Sequence, residues 1–319
     1  MIETIRDATE HFWDFLSEIE VVPLLIGIGC QLLKLLCTSR AWRNVLAAAY
    51  PEQTVPWRPI GAAYVAGVGV NAVLPARGGD VVRVFLAHRA IPGSTYTTII
   101  SSNAVLAIVD ITLSLAVFVW ALTQGLLPSL DALSALPSFD YSWAFQDGVI
   151  HPGVVIALVA VVGGAVLLLN RYWDRLRARV EQAFTVFNPP TRYLRTVVTW
   201  QFADWAFRFA TIWFFLGAFG IHQSITHVLL VQSAMSLSTL VPATPGGIGT
   251  EQALLVYAFR NASIGEATLL AFSVGMKLTL TVVNAVVGFT AIFLTLGTVR
   301  FRGVVQPRPP AQDAMPPPT

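Results

Sequence analysis

The sequence predicts an all-α, polytopic membrane protein with two inverted re-entrant helical hairpins and about five full transmembrane spans. Three observations carry this. Hydrophobic residues make up 55% of the 319 residues and charged ones only 12%, against about 25% charged in soluble domains; the mean hydropathy is +0.65. Several apolar runs approach the ~20 residues that a bilayer crossing requires. Two further apolar runs, one in each half, are interrupted by Pro and Gly. A broken helix at membrane depth is tolerated only where its freed backbone is buried in protein or lines a cavity.

In chain order, residues 1–20 alternate acids with Ile2, Ile5, Phe12, Phe15, Leu16 and Ile19 at helical spacing. They read as an amphipathic segment, and the lack of a basic start argues against a cleaved signal peptide. A first span covers about Val21 to Cys37, with Lys34 near its end able to snorkel. Arg40 and Arg43 follow, in a Pro-interrupted loop that runs to Arg58. Pro59 to Leu74 is apolar but short and stops at Pro75, and Val81 to Arg89 is too short and charged to cross; together they make a first hairpin over about 59–92.

Spans follow at Thr97 to Leu122, Pro152 to Leu169 and Thr196 to Phe219. The loop 123–151 holds Asp131, Asp140 and Asp147 and no Lys or Arg, whereas Arg171 to Arg195 is strongly basic. A second hairpin is expected over about 224–260, and a last span from Ile264 to Leu296. Residues 21–299 therefore form one membrane domain with inverted repeats, and 300–319 a disordered, Pro-rich, cytoplasmic tail.

The two interruptions echo each other. Asn71-Ala72-Val73-Leu74-Pro75-Ala76-Arg77-Gly78-Gly79-Asp80 and Thr239-Leu240-Val241-Pro242-Ala243-Thr244-Pro245-Gly246-Gly247 both read apolar-Pro-Ala, then Gly-Gly, then a helix start with an early acid. Paired interrupted segments in matching halves point to a transporter binding site. With an odd number of spans between them, the hairpins open on opposite sides. The basic loops all fall on the side of the first hairpin, which is therefore the cytoplasmic one.

The net charge of +2 gives no reason to expect a nucleic-acid partner. Cys30 and Cys37 lie about 10 Å apart on one helix face, beyond disulfide reach. No metal, haem or phosphate-loop spacing and no Ser-His-acid set is present, so neither a cofactor nor catalysis is expected.

The elements Asn71 to Asp80 and Pro242 to Glu251 resemble the flippase-like membrane region of the lysylphosphatidylglycerol synthases and their stand-alone relatives, over roughly residues 20–300. The resemblance rests on Pro75, Arg77, Gly79 and Asp80 in the first motif and on Pro242, Pro245, Gly246, Gly247, Gly249 and Glu251 in the second. It implies a lipid flippase-type fold in a prokaryotic inner membrane. The bifunctional synthases carry a soluble catalytic domain after this region; here a Pro-rich tail follows, so aminoacyl transfer from tRNA is not expected. The partner expected is a membrane lipid with an anionic or phosphate-bearing headgroup. A homodimer and a separately encoded lipid-modifying enzyme stay open.

Charges at membrane depth are costly and face a partner or a wet cavity. The candidate headgroup residues are Arg77, Asp80, Arg83, Asp110, Asp204, Arg208, Glu251 and Lys277. Asp204 and Arg208 are four apart on one helix, so they can form a structural pair, or Arg208 can share its charge with a phosphate. Lys277 either snorkels or lines the site, seven residues before Asn284. Asp80 and Glu251 can serve the helix dipole, hold an amine, or pair with Arg77 or Arg83. The break residues Asn71, Pro75, Gly78, Gly79, Pro242, Thr244, Pro245, Gly246, Gly247 and Gly249 can aim backbone donors at an anion or allow tight helix packing. Three functions follow: a lipid flippase, a membrane enzyme or enzyme subunit acting on lipid-linked sugars, and a scaffold recruiting a partner through the Pro-rich tail.

Overall fold

A computed structural model describes residues 19–74, 78–123, 145–146, 149–150, 181–240, 249–260, 262 and 264–296. Pro75, Arg77, Pro242, Thr244, Pro245, Gly246 and Gly247 lie outside the described residues, as do the expected span at 152–169, Arg171 to Arg179 and the tail. Within those residues the chain is helical, save for a two-residue antiparallel pair of Phe145–Gln146 with Val149–Ile150. The helices are α1 (Val21–Ala49), α2 (Trp57–Val73), α3 (Gly78–Ala90), α4 (Tyr96–Thr123), α5 (Thr199–Ala218), α6 (Ile225–Leu240), α7 (Thr250–Ala258) and α8 (Glu266–Leu296). A short turn, Pro190–Tyr193, and a π-wound stretch, Leu194–Val198, lead into α5.

Proline sets several of the helix ends, because the residue before it is pushed out of the α region. α1 stops at Tyr50 ahead of Pro51, α2 at an extended Leu74 ahead of Pro75, and α3 two residues before Pro92. α5 ends differently. The N–H of Ile221 reaches Leu216 O (2.9 Å) and that of Gly220 reaches Gly217 O (3.0 Å), a closure that needs the positive φ of +68° at Gly220.

Among the described residues, three helices are long and apolar enough to cross a membrane: Val21–Ala49, Tyr96–Ala121 and Glu266–Thr295. Their outer faces are apolar as well; Leu270, Val274, Leu278, Val282, Val286 and Phe293 run exposed along α8. Such a surface suits lipid rather than water. α5 coincides with the expected span at 196–219 but carries Asp204 and Arg208 within its 20 residues.

One expectation is corrected. Arg40 and Arg43 do not lie in a loop, because α1 continues through them to Ala49. Trp42 between them and Val45 and Leu46 after them are fully buried, and the alanines at the end favour helix. Arg40 stacks on Trp57 at 5.5 Å, and Arg43 Nε donates to Val55 O at 2.8 Å.

Among the described residues, two hydrophobic cores organise the packing. The first joins α2 and α3 to the end of α1, the starts of α4 and the π-wound stretch, and Ile292 late in α8. The second joins α6 and α7 to the starts of α1 and α8 and the ends of α4 and α5. The long helices α1, α4, α5 and α8 therefore run from one core to the other, and each helical hairpin sits at its own end. Helix crossings confirm the register: Glu20 N–H bonds Ala218 O (3.0 Å) at one end, and Asn44 Nδ2 bonds Thr196 O (2.6 Å) at the other. Arg40, Arg43, Arg58, Arg89, Arg192 and Arg195 all fall at the end of the first core.

Glycines allow the closest crossings. A Cβ at Gly69 of α2 would stand 2.5 Å from the Gly288 Cα of α8, and one at Gly67 would stand 2.8 Å from Gly79 O of α3.

Candidate functional site

The ends of both hairpins open onto one cavity of about 360 Å³. Asn71 comes from the end of α2 and Glu251 from the first turn of α7, while Lys277, Thr281 and Asn284 share one face of α8. Lys277 Nζ lies 2.7 Å from Glu251 Oε2. Glu251 is buried, with the N-terminus of α7 and the lysine both favouring its charge. Asn284 Oδ1 accepts a hydrogen bond from Gln31 Nε2 of α1 at 3.1 Å. Three residues singled out in the sequence (Asn71, Glu251 and Lys277) thus meet here.

Asn71 also closes the first hairpin. Its side-chain oxygen accepts the Gly79 N–H (2.7 Å) and its amide donates to Asp80 Oδ1 (3.2 Å). Asp80 pairs in turn with Arg83 at 3.2 Å. Among the alternatives for the Gly-Gly turn, Gly79 serves close packing, since its donor is already taken and α2 presses on it. Gly249 likewise gives its N–H to Gln252 Oε1 (2.7 Å), and its φ of +89° requires glycine. Asn71→Ala removes the acceptor of the part-buried Gly79 N–H, at a cost of about 1 kcal/mol. A denaturant titration of the solubilised protein reads this directly; an unchanged midpoint would refute the closure.

A second charged cluster lies between α1, α4 and α5. Arg208 Nη2 is 3.2 Å from Asp110 Oδ1 and 3.3 Å from Asp204 Oδ2. Asp110 also accepts Trp205 Nε1–H at 3.0 Å, and the guanidinium stands 4.6 Å over the Trp205 ring. Asp204, almost fully buried, accepts the Thr38 hydroxyl. The sequence alternatives for Asp204 and Arg208 resolve into a three-member network rather than an isolated pair.

Sequence reasoning missed three contributors. Lys34 is not near a helix end but mid-α1, within the field of Asp110, Asp204 and Arg208. Thr38 and Tyr64 are the others; Tyr64 bonds Thr38 and lies within the field of Asp204, Arg83 and Arg208. The available signal was the spacing of Gln31, Lys34 and Thr38, one polar stripe on the otherwise apolar part of α1 that precedes Ser39. That stripe reaches the cavity through Gln31 and the charged cluster through Thr38. Arg83 stacks 5.4 Å from Trp42 and 5.5 Å from Tyr64, joining the first hairpin to the same region.

Membrane-length helices, a lipid-compatible exterior and interior charge clusters define a polytopic helical membrane protein. The family model for the lysylphosphatidylglycerol synthase TM region matches residues 8–288. The chain belongs to that family, whose membership implies a membrane, lipid-related role. No curated protein and no solved structure matches the chain.

Proposed function

We propose that the protein is a lipid flippase-like transporter. The polar headgroup of an anionic, aminoacylated or polyprenyl- or glycosyl-linked lipid crosses between the two hairpins while its tails stay in the bilayer. The observation that carries this reading is the shared cavity, where the ends of hairpins from opposite ends of the molecule meet around Glu251 and Lys277. In this proposal both hairpins are re-entrant, entering the bilayer from opposite faces. The arginine-rich end around the first core faces the cytoplasm of a prokaryotic cell. The chain itself makes and breaks no covalent bond.

Lys277 and Arg208 attract the phosphate; Glu251, Asp110 and Asp80 balance charge. Reconstitution into liposomes with headgroup-labelled lipids of each class tests this. Glu251→Ala and Arg208→Ala should each slow translocation at least about tenfold, equivalent to ~1.4 kcal/mol of barrier. Unchanged rates in both would sink the site. Turnover of a lipid into a new product by the purified protein would replace the transporter by an enzyme.

A further inference from the structure

We propose that the Asp110–Arg208–Asp204 cluster is a proton-coupled phosphate site: a lipid phosphate displaces Asp110 from Arg208, and the released carboxylate takes up one proton. This rests on the reading that an anionic headgroup passes this point. It adds an energy-coupling step that the transport reading leaves open.

The geometry of Arg208 is the starting point. One edge of a guanidinium carries Nε–H and an Nη2 hydrogen side by side, the fork that holds phosphate oxygens bidentately. Here Nη2 holds both carboxylates, while Nε is enclosed and has no hydrogen-bond partner among the described residues. A buried donor without an acceptor is a standing cost. A phosphate on that edge satisfies Nε and takes one of the two places on Nη2.

Asp110 is the carboxylate that gives way. Asp204 sits on the same helix as Arg208, has a side chain only 3% exposed and is held by the Thr38 hydroxyl. Asp110 reaches in from α4, is 45% exposed, and has Trp205 as its other donor. The groups facing the cluster among the described residues are Lys34 and Cys37 on α1, Tyr64 on α2 and Arg83 on α3, the last paired with Asp80.

Formal charge then accounts for the proton. Asp110 and Asp204 balance Arg208 and Lys34. A phosphate monoanion brings one uncompensated negative charge, and a carboxylate left beside it without its arginine binds a proton. One proton from the aqueous phase adds to an Asp110 oxygen, no other bond forms or breaks, and the cluster is neutral again. Anion binding and protonation are thereby linked, each strengthening the other.

The test is calorimetric titration of dimethyl phosphate, a phosphodiester monoanion, into the detergent-solubilised full chain, repeated in buffers of different ionisation enthalpy. Uptake of roughly one proton per dimethyl phosphate bound is expected, with none in Asp110→Asn, which still binds, and full uptake in Glu266→Gln, a change at the exposed start of α8. Binding without proton uptake, uptake that persists in Asp110→Asn, or no binding at all each overturns the proposal. Should Asp110→Asn not fold, Trp205→Phe, which removes only the second donor to Asp110, must change the number of protons taken up at fixed pH. The liposome assay separates the two readings. Translocation with proton-silent binding leaves the transporter and removes the coupling; proton uptake without translocation of any lipid does the reverse.

Discussion

Lys277→Met is expected to lower the unfolding free energy of the solubilised protein by about 3 kcal/mol, and Glu251→Gln added to it to restore most of that loss. The reason lies in the asymmetry of buried ion pairs. Glu251 is buried and its charge is met at 2.7 Å by Lys277. Taking away the lysine leaves a carboxylate that, among the described residues, has the N-terminus of α7 to offset it. Taking away both leaves Met and Gln of similar volume, with no charge to strand. Titration with a denaturing detergent, followed by tryptophan fluorescence, measures both variants. A single variant as stable as the parent, or losses that simply add, would show that the two side chains are not coupled. The double variant should still fail in the liposome assay, which separates holding the site together from moving a headgroup through it.

Gly69→Leu and Gly288→Leu should prevent stable folding. The first carbon of any side chain at Gly69 would lie 2.5 Å from the Gly288 Cα and 2.7 Å from Asn284 O. These are backbone atoms of a packed helix, with no side chain to swing aside. Overpacking of a core costs about 1–3 kcal/mol even where side chains can adjust; here the helices must part, and the cavity between Asn71 and Asn284 parts with them. Gly29→Ala is the matched control, since nothing lies within 4 Å of its added carbon. Yield of monodisperse protein on size-exclusion chromatography reads the result. Normal yield from Gly69→Leu would show that α2 and α8 do not cross here.

Much of this was legible in the chain because membrane segments make their exceptions conspicuous. The apolar run from Pro59 to Leu74 that the sequence reading ends ahead of Pro75 lies in α2, which stops at an extended Leu74. Glu251 and Lys277 stood out as charges among apolar neighbours, and Asn71 through its place before the break. What the sequence could not show depends on contacts between distant segments. Arg208 meets Asp110 across 98 positions, and no local pattern selects that carboxylate over another. Gly69 and Gly288 lie in two separate helices, and nothing local to either marks the crossing that joins them. Arg40 and Arg43 read as a loop because hydropathy falls there, whereas the helix is held by Trp42, Val45 and Leu46 in the first core. Lys34 read as a snorkelling lysine, because a single helix gives no view of the acids on α4 and α5.

The placement of the two cores at opposite ends makes stability uneven along the long helices. Each end is clamped by close-packed aromatic and aliphatic side chains, Trp42 and Ile60 at one and Phe215 and Phe272 at the other. The waist between them is crossed by polar links: Gln31 to Asn284, Thr38 to Asp204, Arg208 to Asp110 and Lys277 to Glu251. Polar partners can be exchanged for water or a passing charge at little net loss, whereas close-packed carbon cannot. The molecule is built like a spool, with stiff flanges and an equator that can loosen one bond at a time while both rims stay closed.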